Sequence, residues 1–595
     1  MSVDPVLEAL VEHDRRLAQR GVTMWLGAEP TFTRAASLAP CWTWQAEDDA
    51  GDKRAAALAV VRELAARLPV TAVGPIEGRR YPEEDRPRFA FGLRFGWAGV
   101  RGAPWTDADA AALATALAGL DDAAPGAAPP LRHGTPLSPG DDRWMTVTPD
   151  PGVVEINSAP CPDGASFLGH VRAIYDAAAA AGLSAVRRRF NGDLDDSGGG
   201  GQLTLGGPSP ATSPFFVHPT LLPRLIRYVN DHPSLSYWFL GACAGSASQA
   251  PRPDEGVRER WEELRLGVRW LERAAARDAV TPALLAQTLA PLLVDASGNS
   301  HRAELNVEKL WNPCLGDRGL AGLVEWRAFQ MPPTAEHLAA AGALVRAIAA
   351  RCALAPYDAP MIDWGAELHD RMALPTFLHE DLAAVLRDLH DHGVGLPPRL
   401  EALATAYRDP TLWRGEPFPG VHVTLSRAVE FWPLVGDTAS QEGRTSRLVD
   451  ASTERLELRL ELPTGRALPA ITAGDHAVTP HAARVDGERT VWVVGVRRRL
   501  FVPAPGLHPG LAALDPLVVR LRDRGDELAV TLHGWRPGGG PYDGVPDDDE
   551  ATRRRAERLI VAPVAAAVAH SIRHDLARAD TWTVDLRDAA PPEPA

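Results

Sequence analysis

Apolar and polar residues follow two rhythms along this chain, and the change falls near residue 418. In the first part, apolar positions recur at helical spacing over residues 4–19 and 53–67, and an Ala- and Leu-rich stretch over 107–119 predicts another helix. The segment VTMWLGAEPTF predicts a short strand that breaks at Pro30. RFAFGLRFGW alternates strictly, with Phe89, Phe91, Leu93, Phe95 and Trp97 on one face, as a half-buried strand does. The Pro- and Gly-rich run at about 120–142 reads as a loop within the domain, and strands and helices then intermix to about residue 410. Beyond 418, the segments VHVTLSRAVEFW, RLELRLEL, RTVWVVGV, LVVRLRD and ELAVTLHGW predict short strands divided by turns, a β-sandwich-like module. A last helix is expected over about 549–577. The pattern as a whole predicts an α+β chain with one domain over 1–415 and a β-rich domain over 416–595.

Five strand-like segments break the usual rule by placing polar groups along one face. Successive side chains of a strand point to opposite sides. In VVEIN this sets Val153, Glu155 and Asn157 against Val154 and Ile156. Likewise Arg302, Glu304 and Asn306 share a face in HRAELNV, Glu325 and Arg327 in VEWRAF, Gln202 and Thr204 in GQLTL, and Glu29 and Thr31 in GAEPTF. One such strand ordinarily means a solvated face, because antiparallel sheets commonly expose one side. Five of them together point to a charged cleft, since buried charge is costly unless paired or metal-bound. The run Gly198, Gly199, Gly200, Gly201 before Gln202 fits either a flexible turn or a loop offering backbone N–H groups to phosphate. It matches neither the P-loop nor the dinucleotide fingerprint.

Composition narrows the class. The chain has 595 residues, room for two to four domains, and a formal net charge of −15, which argues against a nucleic-acid partner. Its five cysteines are scattered and never in a C-x-x-C pair, so neither a zinc motif nor a disulfide framework is expected. The acidic start MSVDPVLEALVEHDRRL has no signal-peptide pattern, and no apolar run approaches ~18 residues. The expectation is a cytoplasmic protein with no membrane partner.

Several long segments carry a resemblance. They include HDRRLAQRGVTMWLGAEPTF, TPDPGVVEINSAP, NGDLDDSGGGGQLTLGGPSPATSPF, NDHPSLSYWFLGACAGSASQAPRPDE, LLVDASGNSHRAELNVEKLW, GLVEWRAFQMPP, WGAELHDRMALP and VDASTERLELRL. In these the chain resembles a bacterial family of amidoligases, commonly found behind a transglutaminase-like domain and grouped with carboxylate–amine ligases of glutamine-synthetase-like fold. The resemblance implies an antiparallel catalytic sheet with flanking helices. It also implies ATP and Mg²⁺, with Mn²⁺ as a substitute. Glu29 in GAEPTF is similar to a metal-holding glutamate, with Thr31 standing where a second carboxylate is expected. Glu155 and Glu325 are similar to the other metal ligands, and Arg327 to the arginine that meets the transferred phosphoryl group. Arg302 resembles an arginine that meets ATP phosphates, Gln202 replaces an expected histidine, and Gly198–Gly201 would cover the nucleotide.

The chemistry that follows is amide formation through an acyl phosphate, with Arg327 and Arg302 donating to phosphoryl oxygens. Glu304 is expected to bind metal or deprotonate the amine, and His301 is an alternative base. His369, Asp370 and Arg371 are expected to pair within a helix, and Trp311, Trp326 and Trp364 to line the core or cleft. The substrate would be a peptide, protein or amino acid. A separate transglutaminase-like protein is an expected partner, because that domain does not accompany this chain and the segment from Trp105 to Arg143 is short for the family. Thr31 and Gln202 leave open a catalytically impaired relative that binds ATP or a peptide as a scaffold. An ATP-grasp ligase shares the chemistry but not the E-P-x-F and E-x-R-F patterns. A hydrolase is disfavoured because neither G-x-S-x-G nor H-E-x-x-H occurs.

Overall fold

A computed structural model describes residues 4–34, 50–70, 72–77, 89–96, 107–119, 142–150, 152–198, 200–241, 243–313, 319–437, 447–502, 507–564 and 581–588. The expected loop at 120–142 lies almost wholly outside these residues, as do Trp97 and Gly199.

The first helix, Pro5–Gln19, starts where proline is tolerated, and the Asp4 carboxylate accepts from the N–H groups of Val6 and Leu7. Val6, Ala9, Leu10, His13 and Leu17 form its buried stripe. Burial pushes the His13 imidazole down to about 3, and the charges of Arg346 and Arg16 act the same way. The folded state therefore refuses a proton that the unfolded chain takes up near pH 6.5. Stability present above pH 6.5 should fall as the solution is acidified, by roughly 2 kcal/mol at pH 5. Urea unfolding at pH 7.5 and pH 5 should show this loss in the native protein and a smaller one in His13→Leu; equal losses would contradict it.

Pro30 then divides one extended segment into two strands that enter different sheets. Trp25–Glu29 edges a four-stranded antiparallel sheet, followed in space by Gln202–Gly206, Val324–Trp326 and Leu305–Asn306. Thr31–Arg34 joins a six-stranded antiparallel sheet between Val153–Asn157 and Leu183–Ser184, with Asp142–Asp150, Phe89–Gly96 and Ala72–Glu77 beyond. The two sheets meet along a seam. Pro30 has no N–H to offer, but its carbonyl accepts from Ile156 N at 2.9 Å, and the Ala28 carbonyl accepts from Ser158 N at 2.9 Å. Helix Ala335–Leu354 is apolar nearly all round and buried at the centre, packed against helices Gly164–Ala180, Leu221–Asp231 and Pro398–Thr405. Among the described residues it alone is long and apolar enough to cross a membrane, and 83% of its most apolar 18-residue stretch is buried inside the protein.

The second half is the β-rich region the alternating segments predict. One sheet runs Thr411–Phe418, Val421–Arg427, Thr453–Pro463, Arg489–Arg499 and His481–Val485, with Thr583–Asp585 added in parallel to Arg489–Arg499. The other runs His476–Ala477, Ala470–Ala473, Leu517–Asp523, Asp526–Leu532 and Leu559–Pro563. Leu456, Leu458, Leu460 and Leu462 from the first share one core with Val519, Leu521, Val530 and Leu532 from the second. The opposite face of Thr453–Pro463 is buried over its first half, at Thr453, Arg455 and Glu457. There the Glu457 carboxylate accepts from Thr376 N at 2.9 Å and Oγ1 at 2.8 Å, fastening the first turn of helix Pro375–Asp391. The first sheet begins at Thr411, so a boundary at 415/416 falls inside a strand. The last helix is shorter than expected: Asp548–Glu557 is helical and Leu559–Pro563 is an edge strand, while residues 565–580 lie outside those described.

Candidate active site

The four-stranded sheet has one apolar and one polar face. Leu26, Ala28, Leu203, Leu205, Leu305 and Trp326 belong to the main core. On the other face Glu29 lies opposite Gln202, and Thr204 lies opposite both Gly27 and Glu325, with Asn306 opposite Glu325 on its far side. The register thus brings together the polar faces of GAEPTF, GQLTL, VEWRAF and the end of HRAELNV.

A residue from outside the strands completes this face. Lys309, in the turn after Leu305–Asn306, brings its ammonium into contact with the Glu29 carboxylate and within 3.1 Å of Glu325 Oε2. The Arg327 guanidinium pairs with the other oxygen of Glu325. Glu325 is fully buried and Arg327 nearly so, whereas Lys309 keeps 23% of its side chain exposed and so marks the open side. Burial alone would push the Glu325 carboxyl up, but the charges of Lys309 and Arg327 outweigh it and hold it at about 2. Burial likewise opposes the charge on Lys309, and Glu29 and Glu325 reverse this and raise its ammonium above the ordinary value. Arg327 Nε and Thr204 Oγ1 are buried without a hydrogen-bond partner.

Across the seam, Glu155 lies opposite Thr31 and accepts from Asn157 Nδ2 at 2.8 Å. Its charge still reaches Arg327 and helps keep it ionised. Thr31 Oγ1 meets Ser197 Oγ at 2.7 Å, at the entrance to the glycine run. Here glycine is a packing requirement. A Cβ on Gly200 would come within 2.1 Å of Thr31 Oγ1, and one on Gly201, whose φ is +99°, within 2.4 Å of the Gln330 carbonyl.

Some expected residues stand elsewhere. The strand expected at HRAELNV is only Leu305–Asn306, so Arg302 sits in a turn and donates to the Ser248 carbonyl at 3.2 Å. The Glu304 carboxylate takes the Ser236 hydroxyl and lies 3.7 Å from Arg252, itself paired with Asp254. Burial pushes Glu304 up to about 7 against the pull of Arg252. His301 is exposed and 3.3 Å from Glu308. Arg371 pairs with Glu367 on a helical turn, as expected, whereas His369 stacks on Phe431 and Asp370 accepts from Trp582 N. Trp326 is core; Trp311 and Trp364 pack partly buried against it.

Glu29, Glu155 and Glu325 do not gather into a metal cage: among the described residues no group of three or more His, Cys, Asp or Glu could hold an ion. The charges explain why. Lys309 and Arg327 balance Glu29 and Glu325, and Glu155 is turned to Asn157. These residues do not fit a resident divalent ion.

A family model described as "Putative amidoligase enzyme" matches residues 117–587, a span that includes Glu155, Lys309, Glu325 and Arg327 and begins after Glu29. No curated protein and no solved structure matches the chain.

Proposed function

The chain belongs to this amidoligase family, and from that premise we propose that it is an ATP-dependent carboxylate–amine ligase of glutamine-synthetase-like fold. The observation that carries the reading is the buried Glu29–Lys309–Glu325–Arg327 array on the polar face of the sheet. The substrates are an amino-acid, peptide or protein carboxylate and an amine. A carboxylate oxygen attacks the γ-phosphorus of ATP, the bond to the β-phosphate oxygen breaks, and ADP leaves. The amine nitrogen then attacks the acyl carbon, inorganic phosphate departs, and the nitrogen loses a proton. Magnesium, or manganese in its place, enters as part of the Mg·ATP substrate. Arg327, with its planar fork and unpartnered Nε, donates to the γ-phosphoryl oxygens as charge develops there. Lys309 adds a second positive charge from the open side. The segment from Gly198 to Gln202 borders the nucleotide, with Arg302 at the periphery. Glu304 is enclosed by Ser236 and Arg252, so we assign the amine proton to Glu155, which is half-buried at the seam.

A second reading is a relative that binds nucleotide or peptide without turnover. It draws on Thr31, Gln202 and the closed ion pairs of Lys309. Incubation with ATP, Mg²⁺ and mixtures of amino acids, peptides and amines separates the two. The ligase releases ADP only when carboxylate and amine are both present, and Arg327→Lys lowers the rate about 100-fold. Release of AMP in place of ADP would replace the acyl phosphate with an adenylate. ADP release equal in Arg327→Lys would remove this site from the chemistry.

A further inference from the structure

Glu29 and Glu325 sit on strands separated by Gln202–Gly206, yet one ammonium touches both. It comes from Lys309, only three residues beyond the strand Leu305–Asn306 that flanks Glu325. The turn that delivers it is held by Leu310 N donating to the Val307 carbonyl and by Glu308 N donating to Asn306 Oδ1 at 2.7 Å. Two buried carboxylates facing one gap need a cation between them. A divalent ion held by carboxylate oxygens could serve; here the chain supplies its own cation.

We propose that Lys309 is a built-in counter-ion that replaces a resident divalent metal between Glu29 and Glu325, so that the only metal the site takes in is the ion carried by the nucleotide. From the proposed function this takes only that Glu29 and Glu325 belong to the reaction centre. The ammonium has one charge and a flexible stem, so it can hold the two carboxylates apart while the site is vacant and turn toward phosphoryl oxygens when nucleotide arrives. A divalent ion bound tightly between the same carboxylates would compete with it directly. The native protein should therefore show no Mn²⁺ site at this position in the absence of nucleotide, and removing the ammonium should create one.

The test is Mn²⁺ titration of metal-free protein, read by melting temperature and by the electron-spin signal of free Mn²⁺. Lys309→Met should melt several degrees below the native protein, recover most of that loss with Mn²⁺, and bind about one more ion per chain. Lys309→Arg keeps the charge and should not respond. The double variant Lys309→Met, Glu29→Gln lacks one of the two carboxylates and should lose the response. If Lys309→Met folds only when Mn²⁺ is present, the inference also stands. It is overturned if native protein gains as much from Mn²⁺ as Lys309→Met does, if Lys309→Met gains nothing, or if it stays unfolded with Mn²⁺ added. Nucleotide binding is measured apart from this. A Mn²⁺-responsive Lys309→Met alongside native protein that binds no ATP keeps Lys309 as the counter-ion between the two carboxylates but removes the nucleotide-borne metal and the ligase reading. Native protein that binds Mg·ATP while Lys309→Met ignores Mn²⁺ does the reverse.

Discussion

Glu325→Ala is expected to cost about 3–5 kcal/mol of stability, because it strips the shared partner from the buried Arg327 and the half-buried Lys309. Arg327 loses its ion pair in a position where its Nε already lacks an acceptor. Lys309 is left with Glu29 alone. The same two cations hold the carboxyl at about 2, against an ordinary value of 4.5. A depressed folded-state value means stability that is present above pH 4.5 and lost as pH falls toward 2, roughly 3 kcal/mol in all. Glu325→Gln keeps the shape and an acceptor and should lose less. Urea unfolding of the native protein and both variants at pH 7 checks the ranking. A loss in Glu325→Ala below about 1 kcal/mol would mean that solvent reaches the pair and that the site is not a buried charge array.

Asp193→Ala should be the other large effect, about 3 kcal/mol, and it acts between the two halves of the molecule. Asp193 lies in the turn between Val186–Arg188 and Leu194–Asp196, the hairpin that leads into the glycine run. Its carboxylate meets Arg558 and lies 2.9 Å from Arg427, both from the β-rich half. Burial works against its charge, but those two guanidiniums keep its pKa below the ordinary value. The grip on this hairpin is extensive. Arg554 donates to the Phe190 carbonyl at 2.7 Å, Asn191 Nδ2 donates to the Gly534 carbonyl at 3.2 Å, and Arg188 pairs with Asp548 at 2.6 Å. Gly192, with φ at +86°, passes so near helix Asp548–Glu557 that a Cβ would come within 2.4 Å of the Ala551 carbonyl. The β-rich half therefore positions the approach to the glycine run. Asp193→Ala should weaken nucleotide affinity as well as stability, acting through the hairpin that leads into the glycine run. Denaturation and nucleotide titration of the same variant check both effects; lower stability with unchanged affinity would confine the contact to a structural role.

The legible parts of this fold are those where one periodicity dominates. The leucines of RLELRLEL alternate over a full strand and settle in the sandwich core. The polar faces of GAEPTF, GQLTL and VEWRAF could be read because two-residue alternation survives there, and the sheet does bring them into register. HRAELNV misleads because the same alternation runs on through residues outside the strand: Arg302 donates to the Ser248 carbonyl, and the Glu304 carboxylate is engaged by Ser236 and Arg252. Lys309 escaped for the opposite reason: it acts from a turn, where no strand periodicity marks it, although Glu-Lys directly after a polar strand was a signal. The helix expected over 549–577 fails at Leu559–Pro563, where an apolar run as compatible with a strand as with a helix pairs with Asp526–Leu532. Pro30 marks a break in the sequence, but only the tertiary structure shows that the break passes one segment from one sheet to the other.

Calorimetric titration of ATP into the intact protein, with and without Mg²⁺, tests the central proposal most directly. The ligase reading predicts binding only when Mg²⁺ accompanies the nucleotide, and weaker binding in Arg327→Met, which removes the proposed phosphoryl contact. Absence of Mg²⁺-linked ATP binding in the intact protein, or binding that Arg327→Met leaves unchanged, would contradict it.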